Sequence, residues 1–151
     1  MKTTELLEIV KQQRSNLNDF HEVVLLKQRA LVVNNLKGIE GAVVREEKLI
    51  TAVDKCERKR VELLSTIAES FNLTLENNRI TEFLQSANQY IEEKIVNEFN
   101  KELEAIEGLV AEIQKINQQN QFLINNAREF IKGVINAVTK SGSKAILDRK
   151  I

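Results

Sequence analysis

Apolar residues recur in steps of three and four from Ile106 to Ala137, in a chain of 151 residues that contains no proline. The series is Ile106, Leu109, Ile113, Ile116, Leu123, Ala127, Phe130, Val134 and Ala137, and its single polar member is Asn120. Steps of that kind lay one face of a helix against another helix over many turns. With no proline to interrupt it, the pattern dictates long helices packed lengthwise. The expected fold class is all-α: an antiparallel helical hairpin plus a long C-terminal helix, in a coiled-coil-like three-helix bundle.

Three helical segments are readable within one domain spanning 1–151. The first runs over 4–36 with a seam of Leu6, Val10, Leu17, Phe20, Val24 and Leu31, in which Gln13 and Lys27 are polar slots. Gly38 and Gly41 follow a long helical pattern and predict a helix end and restart, hence an αα-hairpin. The second helix covers 42–71, with a seam of Leu49, Val53, Cys56, Arg60, Leu63 and Ile67. The polar run Asn72-Leu73-Thr74-Leu75-Glu76-Asn77-Asn78 then predicts a break. A third helix over 79–139 would measure about 90 Å at 1.5 Å per residue. Its steps of four at Ile91, Ile95 and Phe99 form a stutter, and Gly108 and Gly133 are candidate flex points. Ser141-Gly142-Ser143 ends it, leaving a tail in 140–151. Two helices of that length form a hairpin about 45 Å long, so roughly half of the third must overhang, fold back or meet a partner.

Charge narrows the function classes. Lys+Arg and Asp+Glu number 22 each, and a net charge of zero argues against capture of nucleic acid, which needs a clustered basic footprint. The lone Cys56 excludes an intrachain disulfide and suits a reducing compartment. Met1-Lys2-Thr3-Thr4-Glu5 leads into an amphipathic pattern rather than a signal peptide, and no uncharged stretch approaches the roughly 20 residues that span a bilayer. A cytoplasmic protein without stable membrane insertion is expected.

Catalytic and metal chemistry find no footing. His21 is the only histidine, and Asp19 and Glu22 do not share its helix face. Cys56 sits on a seam, where cysteine packs as a small hydrophobe. The carboxylates Glu92-Glu93 and Glu102, Glu104 and Glu107 lack the Glu-x-x-His pairs of a di-metal bundle, and there is no glycine-rich phosphate loop. No enzyme, no metal and no cofactor is expected.

The informative surface is the end of the third helix. Leu123, Ile124, Ala127, Phe130, Ile131, Val134, Ile135 and Val138 form a stripe wider than two positions per heptad. Such width suits a helix that packs against two others, or one that docks an amphipathic partner. Asn117 and Asn120 share a face, and Asn120 lies on the seam, where an asparagine sets register or bonds a partner backbone. Two functions follow from the stripe. It docks a foreign helix, or it is consumed by homodimerisation in a structural coiled-coil tether or adaptor.

The ordered features resemble the FlgN family of flagellar type III export chaperones. The resemblance rests on an N-terminal helix closing on Leu31 to Leu36, then Glu57-Arg58-Lys59-Arg60 leading into Leu63-Leu64 and Ile67-Ala68. After a polar break come Ile116-Asn117-Gln118-Gln119-Asn120-Gln121-Phe122-Leu123-Ile124, similar to the family's N-x-x-N-x-x-L segment, and the tail Ala145-Ile146-Leu147-Asp148-Arg149-Lys150. It implies a cytoplasmic chaperone that binds the C-terminal amphipathic segment of hook-associated (FlgK/FlgL-like) proteins, prevents premature assembly and delivers them to components of the export apparatus. The contact positions it implies are Asn117, Asn120, Leu123, Ile124, Ala127, Phe130, Ile131, Val134 and Val138. One departure is that many relatives carry a tyrosine near the glycine of the tail, where this chain has Thr139-Lys140-Ser141-Gly142 and its only tyrosine is Tyr90.

Overall fold

The described residues form four helices and a short 3-10 turn: α1 (Lys2–Val32), α2 (Leu36–Ser70), α3 (Ile80–Ala87), the 3-10 turn Asn88–Tyr90, and α4 (Glu93–Lys140). The structure, a computed structural model, describes residues 2–140. The tail motif and the Ser141-Gly142-Ser143 stop lie outside the described residues. No strand occurs among those residues, and the all-helical expectation holds.

The hairpin closes earlier than the glycines predict. Its turn is Val33-Asn34-Asn35, and Gly38 and Gly41 both lie inside α2. Asn34 takes the left-handed conformation, φ 53°, and two bonds complete a Schellman closure: Asn34 N–H to Leu31 O at 3.3 Å and Asn35 N–H to Ala30 O at 2.9 Å. Asn35 then caps α2, its Oδ1 accepting from Gly38 N–H at 3.1 Å. Gly38 serves a different end. A Cβ there would stand 3.0 Å from Asn35 Nδ2 and 3.1 Å from Ala30 Cβ, so its absence lets the turn close tightly. The same device ends α2. Asn72, φ 56°, donates to Glu69 O at 3.0 Å, and Leu73 N–H reaches Ala68 O at 2.9 Å.

The expected third helix is divided. α3 ends at Ala87, the 3-10 turn follows, and Ile91 is extended before α4 begins. Burial explains the break. α1 and α4 run parallel, with Lys11 paired to Glu98 at 3.6 Å and Arg14 to Glu102 at 3.1 Å. A helix continued backwards from Glu93 in that register would pass the N-terminus of α1 and leave Ile80, Phe83, Leu84 and Ala87 uncovered. Folded back instead, α3 buries those four residues in one core with Leu6, Leu7, Val10, Leu64, Ile67 and Phe99. Phe71 stacks on Phe83 at a centroid distance of 6.3 Å and on Tyr90 at 5.3 Å. Arg60 fixes the connecting segment, donating from Nη1 to Asn78 O at 2.8 Å while Glu57 accepts from its Nε and Nη2. The stutter residues therefore straddle the break: Ile91 precedes α4 and Phe99 is fully buried within it.

α1 is the shared element. The extensive helix contacts are α1 with α2 and α1 with α4. The polar slots of the first seam face α2, antiparallel to α1, where Gln13 Nε2 donates to Glu57 at 3.3 Å and Lys27 Nζ to Glu46 at 3.3 Å. α4 runs unbroken through Gly108 and Gly133.

Replacing Asn34 or Asn72 by alanine should cost roughly 1 kcal/mol each, because alanine resists positive φ. Replacement by glycine should be neutral or stabilising. Thermal melts check this, with an expected drop of roughly 2–4 °C for each alanine variant. Equal melting of the alanine and glycine variants would remove the left-handed closure as the cause.

Candidate docking surface

α1 has 31 residues and α4 has 48, and this mismatch creates the surface. Gln28 bonds Gln119 at 2.8 Å, so α1 and the hairpin turn end near the level of Leu123. Beyond that level α4 continues to Lys140 for about 25 Å at 1.5 Å per residue. Its face does not change along the way. Ile113, Asn120, Ala127 and Val134 repeat every seven residues, as do Ile116, Leu123 and Phe130. The first members of each row are buried under α1. The later members lie in the open, with Phe130 at 74% exposure beside exposed Ile131, Val134, Ile135 and Val138. One apolar stripe is core in its first half and surface in its second.

The residues expected to contact a partner divide along the same line. Ala127, Phe130, Ile131, Val134 and Val138 share the overhanging stripe and are exposed, while Leu123 and Ile124 are half-buried at its root. Asn117 is exposed one turn before Asn120. Asn120 is set apart, for it is only 2% exposed and its Nδ2 donates to Val24 O of α1 at 3.1 Å. It has no face free for a partner. Its Oδ1 is buried without a hydrogen-bond partner, the pattern of an asparagine that fixes helix register at a cost in stability.

The hairpin turn adds apolar surface that the seam analysis omits. Val32, Val33 and Leu36 are exposed at the tip, and Phe122 is 65% exposed beside it. Val32 and Val33 join Phe122 and Leu123 in an open groove of roughly 730 Å³ between α1 and α4. Phe122 lies off the three-and-four series, which hides it. The available signal was a bulky aromatic in an otherwise amide-rich run. A second apolar slot of roughly 400 Å³ lies between α2 and α4, floored by Leu17 and Phe20 and walled by Ile50, Val53, Val110 and Ile113.

The reactive candidates are structural. Cys56 is buried on the seam, its thiol donating to Ile9 O at 3.5 Å, and burial pushes its pKa up, away from the thiolate a nucleophile needs. Glu102 pairs with Arg14, and among the described residues no group of three His, Cys, Asp or Glu side chains could hold a metal ion. No helix among them is long and apolar enough to cross a membrane.

Asn120→Leu should raise the melting temperature, since it removes an unsatisfied buried amide oxygen and leaves the Val24 carbonyl in the α1 ladder. Binding of any partner on the overhang should be unchanged. A variant that melts normally yet loses a partner would return Asn120 to the contact surface.

No curated protein and no solved structure matches the chain. The description "FlgN protein" is matched over residues 1–147, nearly the whole sequence, and the chain belongs to the FlgN family, whose role is flagellar export chaperoning.

Proposed function

We propose that this chaperone holds the C-terminal amphipathic segment of hook-associated, FlgK/FlgL-like proteins in the cytoplasm, on the overhanging stripe of α4. There it prevents premature assembly and delivers the cargo to components of the export apparatus. The observation that carries this reading is the exposure of Phe130 and Val134 on the two heptad rows whose earlier members, Ile116 and Ile113, are buried, with Ile131, Ile135 and Val138 exposed beside them. Contiguous apolar surface of this kind on a soluble domain marks an interaction site. An amphipathic helix laid on it would continue the packing where α1 stops, burying i, i+3, i+4 and i+7 anchors. The contact set is Leu123, Ile124, Ala127, Phe130, Ile131, Val134 and Val138, with Asn117 at its margin. No catalytic group is needed, because the chaperone acts by binding one form of its cargo and depleting the assembly-competent one.

Calorimetry with the C-terminal segments of the hook-associated proteins from the same organism tests the reading. Micromolar or tighter binding is expected, and Phe130→Asp should weaken it by roughly 30-fold or more, the loss of an aromatic anchor. Helix content and melting should stay as they are, because Phe130 touches water rather than the core. Collapse of helicity together with binding would place Phe130 in the fold's own core. Absence of binding beside a tight self-dimer would assign the stripe to homodimerisation and the chain to a coiled-coil tether.

A further inference from the structure

The groove at the hairpin tip differs from the stripe it adjoins in being charged with one sign. Its apolar floor is Val32, Val33, Phe122 and Leu123, and its ionisable lining residues are Arg29 and Lys115, with no carboxylate among them. Both cations are exposed, and neither forms an ion pair with another described residue. Arg14 and Lys27, also beside α1 seams, are by contrast set against Glu102 and Glu46. Because the chain as a whole is neutral, the attraction at this groove is local, acting within about 8–10 Å at ordinary salt. Leu123 belongs to both groove and stripe, so the groove adjoins the root of the overhang.

We propose that the tip groove anchors the docked segment by an acidic side chain beside an apolar one, the apolar group entering between Val33 and Phe122 and the carboxylate meeting Arg29 and Lys115. This rests on the reading of the α4 overhang as a docking surface and adds the chemistry of the partner: an amphipathic helix with acidic residues next to its apolar stripe. A second copy of this chain fits less well. Arg128 and Lys132 stand among the exposed residues of its overhang, with Glu129 as the one acidic residue from 122 to 140, so the copy would bring further cations to Arg29 and Lys115.

The test uses two synthetic helical peptides of roughly eighteen residues, about five turns, with one leucine stripe and either glutamate or lysine flanks. Fluorescence anisotropy with the full chain should show the glutamate peptide binding roughly tenfold more tightly, the yield of two exposed ion pairs, with the preference fading as salt is raised. Arg29→Glu with Lys115→Glu should abolish or invert that preference while circular dichroism stays unchanged, and Arg29→Gln with Lys115→Gln should abolish it without inversion. Equal binding of the two peptides, no binding of either, or a preference that survives charge reversal would overturn the anchor. Sedimentation of the charge-reversed chain separates the remaining occupant, since a change in self-association in place of peptide preference would make the groove a dimer contact and also overturn it. The two readings fail separately. Hook-associated segments that bind the native and charge-reversed chains equally would remove the acidic anchor alone, whereas segments that ignore Phe130→Asp would remove the stripe as the docking site.

Discussion

The sharing of α1 by two longer helices is the constraint on which the architecture depends. α2 and α4 both pack on α1, and α4 is 48 residues long against 31. Among the described residues nothing at the hairpin end compensates for that difference, because the chain turns within Val33-Asn34-Asn35 and goes back down as α2. At the opposite end the mismatch is resolved by breaking the helix, so that α3 closes over the base of the bundle with Phe83 fully buried. The bundle thus has one sealed end and one open end. The apolar surface that the open end leaves uncovered is a consequence of helix lengths.

Polar residues inside the seams set how the helices align. A purely apolar three-and-four pattern tolerates a slip of one heptad, since each apolar knob finds an equivalent hole seven residues away. Gln13 against Glu57, Lys27 against Glu46 and Asn120 against the Val24 carbonyl each single out one register. The last of these matters most for function. A slip of α4 along α1 by one heptad would move about 10 Å of the stripe into or out of cover. Asn120 is therefore one of several contacts, with Arg14 on Glu102 and Gln28 on Gln119, that together hold how much of α4 is core and how much is surface.

Legibility in the sequence followed the strength of periodicity. The long helices, the hairpin and the overhang all follow from spacing, because many residues vote for each. The end of α1 did not, since it rests on one residue. Gly38 and Gly41 advertised a stop, but asparagine also tolerates positive φ, and Asn34 took the role that glycine was expected to fill, whereas α2 ends at the polar run that begins with Asn72. The break at Asn88–Tyr90 was invisible because no glycine or proline marks it, and it is imposed by the burial of α3 against residues far away in sequence. Within the candidate site the stripe from Leu123 to Val138 was readable. The tip residues Val32, Val33 and Leu36 were not, because their exposure depends on where the turn falls.

The same face serving as core and then as surface has an energetic consequence for docking. An isolated helix the length of the overhang is marginal in water, because its first turn is costly to nucleate. Here nucleation has already occurred in the packed half of α4, and the overhang needs only propagation from it. A partner helix docked as proposed would meet a surface whose backbone is already ordered, so less conformational entropy would be lost on binding than when two disordered segments fold together. Gly133, with open space around its Cβ position, weakens that propagation by about 1 kcal/mol relative to alanine. The distal part of the stripe is thereby the easiest to adjust under the proposed docking, while Leu123 and Ile124 at the root are half-buried in the bundle.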